Sequence, residues 1–97
     1  MPLFIMSINF TDQGIRNIKD GAKRAKTSRE LANKLGVEVK QLYLTSGESD
    51  LLAILETPNA DNVAKFALAL GSLGNVRTRT ANAWTDSEYV KLISELP

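Results

Sequence analysis

The stretch LFIMSINF, Leu3 to Phe10, constrains the chain more than any other. Its β-forming residues predict a strand, with Phe4, Met6, Ile8 and Phe10 on one face and Ile5, Ser7 and Asn9 on the other. Both faces are largely apolar, so both are expected to be covered.

TDQGIRNIKDG, with cap-type Thr11, Asp12 and Asp20, suits a short helical turn. The main helix then runs from about Asp20 to Leu35, with Gly36 as its left-handed stop. Its apolar stripe is thin: Ala22, Ala25, Ser28 or Ala32, Leu31 and Leu35. Val37 to Thr45 and Leu51 to Thr57 read as two further strands, joined by SGESD as a hairpin connection. Gly47 and Asp50 are expected there for conformational reasons. Pro58 ends the third strand, and Asn59 or Asp61 caps a helix to about Leu73, with Val63, Phe66, Ala67, Leu70 and Leu73 at helical spacing. NVRTRTANAW alternates as a fourth strand. Thr85 and Glu88 then form a capping box ahead of Tyr89, Leu92, Ile93 and Leu96. Trp84 is expected to pack this last helix onto the sheet.

This order, β-α-β-β-α-β plus a terminal helix, is the ferredoxin-like α+β pattern, a single domain over residues 1–97 with a four-stranded antiparallel sheet. Right-handed crossovers place both long helices on one face. The other face then keeps more apolar surface than a monomer usually exposes, which predicts a homodimer joined sheet to sheet.

The composition removes several chemistries. With no cysteine and no histidine, a disulfide framework and thiol catalysis are excluded, a zinc site is not expected, and no cofactor is called for. A net charge of +1 gives no bulk attraction to nucleic acid or membrane. No apolar run is long enough to span a bilayer, and MPLFIMSINF has no basic leader region, so a cytoplasmic protein is expected. The charge is uneven all the same: residues 16–40 carry a local net charge of +5. A nucleic-acid footprint is weighed against a solvated helix face, and the second is preferred, because LLAILET offers no aromatic residue on which a base could stack.

Without His or Cys, the polar candidates for a site are Asn9, Arg16, Lys19, Tyr43, Glu48 and Asp50. Asn9 and Arg16, near the end of the first strand, would line the mouth of a pocket between sheet and helices, with Tyr43 and Asp50 as further ligand contacts. Asp50 could instead serve only its own hairpin, and Tyr43 could be a core or interface residue. A small anionic or phenolic ligand is the class these groups suit.

NFTDQGIRNIKD, GESD, ETPN and ALALGSLGNVRTRT together give the chain a resemblance to the GYD domain family, small bacterial proteins similar to the dimeric α+β barrel superfamily. Gly47 and Asp50 fit the glycine and aspartate of the family's name, and Ser49 stands in the tyrosine's place. The resemblance implies a ferredoxin-like fold and a dimer. It brings no catalytic residues with it. Three functions follow as expectations: a homodimer binding a small molecule between sheet and helices, a cofactor-independent oxygenase or isomerase, or a structural or assembly module, with higher oligomers left open.

Overall fold

A computed structural model describes all of residues 1–97. The elements are β1 (Leu3–Phe10), α1 (Asp12–Arg16), a 3-10 turn (Ile18–Asp20), α2 (Gly21–Lys34), β2 (Glu38–Leu44), β3 (Leu51–Glu56), α3 (Ala60–Ser72), β4 (Val76–Ala83) and α4 (Asp86–Ser94). The strands form one antiparallel sheet in the order β2-β3-β1-β4, with β1 and β3 inside it.

Register fixes which residues share a face. Phe4, Met6 and Ile8 point toward the helices with Ala53 and Leu55 of β3, and are buried with Val63, Phe66 and Leu70 of α3 and Ala32 of α2. Ile5 pairs with Ile54 and with Ala81, and Ser7 with Leu52 and with Arg79, on the opposite, open face. The side chains set how well each helix seals the sheet. α3 presents Val63, Phe66 and Leu70, whereas α2 has one buried residue, Ala32. Leu73, expected on the buried stripe, falls at the C-cap of α3 and is exposed.

Three seams hold the elements in place, and they coincide with the segments that carry the family resemblance. At the first, α1 docks on the loop before β4: Thr11 N donates to Asn75 O at 3.0 Å, and Gln13 Nε2 donates to Leu73 O at 3.2 Å and Asn75 Oδ1 at 2.9 Å. A Cβ on Gly14 would lie 2.0 Å from Asn75 O, so the approach requires glycine. At the second, buried Thr57 donates from Oγ1 to Gly36 O at 2.8 Å and accepts from Asn62 Nδ2 at 3.1 Å. Gly36, at φ 78°, is the expected left-handed stop of α2. The third is the β2–β3 turn, clasped to the end of β1.

α4 has the expected capping box, with Thr85 Oγ1 accepting from Glu88 N and Glu88 Oε1 accepting from Thr85 N. It does not pack on the sheet. All its residues are exposed, and Trp84, expected to hold it down, is 59% exposed. The helix leaves the body as an arm, and the molecule measures 52 × 30 × 17 Å. The physical reason is that the two apolar surfaces available, one on the sheet and one on α4, are not brought together within one chain. No helix is long and apolar enough to cross a membrane.

Candidate functional site

The thin stripe of α2 leaves space beneath it. Ala25 and Ser28 are too short to fill the gap to the sheet, and a cleft of about 530 Å³ opens between α1, α2 and the β2–β3 half of the sheet. That volume is in the range of small-molecule sites. Of its 20 lining residues, 15 are hydrophobic. Met6, Ile8, Ala53, Leu55, Phe66 and Leu70 line it from the core, and Ile15, Ile18 and Leu44 line it while remaining exposed, Leu44 at 80%.

The polar groups of the cleft are few. Arg24 donates from Nη1 to Asn17 O at 2.7 Å and from Nη2 to Gly14 O at 3.1 Å, which ties α2 to α1. Arg29 donates from Nη1 to Val39 O at 3.3 Å. Neither guanidinium has a carboxylate partner, since the one ion pair of the chain joins Lys40 to Glu38. Ser28 and Asp50 complete the set. The cleft therefore combines an apolar body with two cations whose charge is not neutralised by the protein. A second cleft of about 450 Å³ lies on the other side of α2, lined by residues such as Asn17, Asp20, Lys23 and Asn75. No three carboxylates converge in a group that could hold a metal ion.

Of the four residues expected to contact a ligand, Asp50 lines the apolar cleft; Asn9, Arg16 and Tyr43 do not. Asp50 accepts from Phe10 N on Oδ2 at 2.8 Å, and its own N–H donates to Ile8 O at 3.0 Å. Asn9 Nδ2 donates to Glu48 O at 2.9 Å. These three bonds clasp the β2–β3 turn onto the end of β1, and Thr45 Oγ1 closes the turn by donating to Ser49 O. Gly47 needs no positive φ, and a Cβ there would meet nothing within 4 Å. The conformational reason expected for it is therefore absent, and the Asp50 carboxylate bonds β1 and not its own hairpin.

Tyr43 lies opposite Leu52 on the open face of the sheet, 47% exposed, away from the cleft. Arg16 ends α1 and is exposed. The cations that do line the cleft, Arg24 and Arg29, belong to the basic segment that the sequence favours as a solvated helix face. The signal that could have separated them was the pairing of those arginines with small Ala25 and Ser28 on the sheet-facing side of α2.

The strand order and the helices on one face define a ferredoxin-like α+β protein whose cleft lies between sheet and helices. The chain belongs to the GYD domain family, which residues 4–93 match. A protein of Thermus thermophilus, named glutamine synthetase and cystathionine beta-lyase binding protein, is 34% identical over 84 residues, covering 86% of this chain and 88% of the relative. The crystal structure of TTHA0845, also from Thermus thermophilus, aligns with a TM-score of 0.57 at 21% identity, over 88% of this chain and 95% of the other. At that identity the likeness concerns the fold alone.

Proposed function

We propose that this chain is a binding protein that takes a small apolar molecule bearing one acidic group into the cleft under α2, and that it works as a homodimer joined through the open sheet faces. The observation that carries the reading is the cleft itself: a mainly hydrophobic lining with Arg24 and Arg29 lacking carboxylate partners. An apolar body is drawn in by burial at about 25 cal/mol per Å², and a carboxylate is oriented by a guanidinium fork. Asp50 is the only carboxylate lining the cleft, and Phe10 already engages it, so the arrangement favours binding over acid–base chemistry.

Titration with a series of straight-chain monocarboxylates tests this. Octanoate or decanoate is expected to raise the melting temperature, Arg29→Met to weaken the effect, and the cleft-filling Ala25→Phe to abolish it without lowering the melting temperature of the free protein. Absence of any stabilisation across the series would sink the reading.

A second reading rests on the relative's name. A protein partner, with glutamine synthetase and cystathionine beta-lyase as the first candidates, suits the exposed apolar residues of α4. Sedimentation of purified chain with either purified enzyme is expected to show a joint boundary that disappears when Leu92 and Ile93 are changed to serine. If neither enzyme alters the sedimentation of the chain, this second reading fails.

A further inference from the structure

The open face of the sheet carries two charged corners that are unbalanced within one chain. Near one end, Glu38 of β2 stands directly opposite Glu56 of β3. Like charges facing each other across strands are destabilising, and the only compensation is Lys40, 3.5 Å from Glu38 Oε1. Near the other end, Arg77 and Arg79 of β4 share the same face, opposite Asn9 and Ser7, with no carboxylate partner. β2 and β4 are the two edge strands. The acidic and basic corners are therefore diagonal across the face, with Ile5, Leu52 and Ile54 between them.

This diagonal has a geometric consequence. A two-fold axis lying between two such faces, through their centres and perpendicular to the line joining the corners, exchanges the ends of that line. The acidic corner of each copy then meets the basic corner of the other, twice per dimer, while the apolar centres meet on the axis. We propose that the open face is self-complementary for a second copy of this chain, with Glu38 and Glu56 of each copy seated against Arg77 and Arg79 of the other. The pattern fixes the rotation between the sheets as well as the pairing, because other rotations leave like corners or unpaired corners in register. The proposal rests on the homodimer reading above and adds the determinant of its geometry.

Two complementary variants test it. Arg77→Glu with Arg79→Glu makes both corners acidic; Glu38→Arg with Glu56→Arg makes both basic. Each alone is expected to be monomeric by sedimentation velocity, with Kd raised at least ~100-fold by reversing two close charge contacts. An equimolar mixture is expected to form a heterodimer, since every contact in it is again between opposite charges. Glu38→Lys alone, at an exposed position, supplies a second measurement should the double acidic-corner variant fold poorly, and it is expected to weaken self-association at least ~10-fold. Variants that remain dimeric, or a mixture that remains monomeric, would overturn the charge arrangement while leaving the homodimer standing. A monomeric wild-type chain would overturn the homodimer itself and the charge arrangement with it.

Discussion

The two faces of the sheet are built from the same strands and have opposite fates. On β3, Leu55 is fully buried under the helices, and its neighbour Ile54 points to the open face, where it meets Ile5. Both are aliphatic and both alternate correctly. What distinguishes them is the second layer: α3 brings Val63, Phe66 and Leu70 down onto one face, and nothing within the chain covers the other. Burial, and not side-chain type, decides which of these residues stabilises the fold.

The sharpest way to break this comparison is to shorten both residues. Leu55→Ala should lower the unfolding free energy by about 2–5 kcal/mol, the usual range for a core truncation. Ile54→Ala should cost less, about 1–2 kcal/mol, when measured in the monomeric Arg77→Glu, Arg79→Glu background, because Ile54 is only partly buried there. Urea denaturation of the pair checks the contrast, and equal costs would mean that the open face is covered within one chain.

The seams come next. Thr57→Val keeps shape but strands Gly36 O and Asn62 Nδ2, so a loss of roughly 1–3 kcal/mol is expected. Asp50→Ala removes the clasp on Phe10 N at a partly exposed site, where about 1 kcal/mol is expected after solvent screening. Amide exchange should localise that change to the turn and the end of β1.

The smallest effect is one of pH. Donation from the Thr85 backbone N–H, and then from its hydroxyl, holds the Glu88 carboxyl below its ordinary value of 4.5. A carboxyl lowered in the folded state stabilises fully above its unfolded value and loses that contribution as pH falls through the folded one. The helical signal of α4 should therefore weaken below about pH 4.5, and Glu88→Gln, which preserves the cap, should remove the dependence.

How far the sequence could be read follows from the same contrast. Periodicity reports which residues face which way, so the two faces of β1, the stripe of α3 and the Thr85–Glu88 box were legible, and so was Gly36, whose left-handed conformation is a local property. Relations between distant segments were not. Nothing local in Gly14 announces Asn75, and nothing in Thr57 announces Gly36 and Asn62. Trp84 and the apolar side of α4 read like a docked helix because periodicity says that a surface is apolar, without saying that the same chain covers it.

The site was legible in part for a related reason. Asp50 could be singled out by its place in the turn, but its bond to Phe10 depends on tertiary register. Asn9 and Tyr43 fall on the open face because alternation along their strands turns them away from the helices, and Arg16 is exposed at the end of α1.

The arm formed by α4 has one more consequence. A nine-residue helix is too short to be firmly formed in water on its own, and a capping box secures only its first turn. Its last turn thus acts as an occupancy gauge: amides near Leu92 and Ile93 exchange quickly when the arm is bare and slowly when any partner is seated on it. Exchange at these few positions would report, without a label, whether anything in a mixture covers the arm.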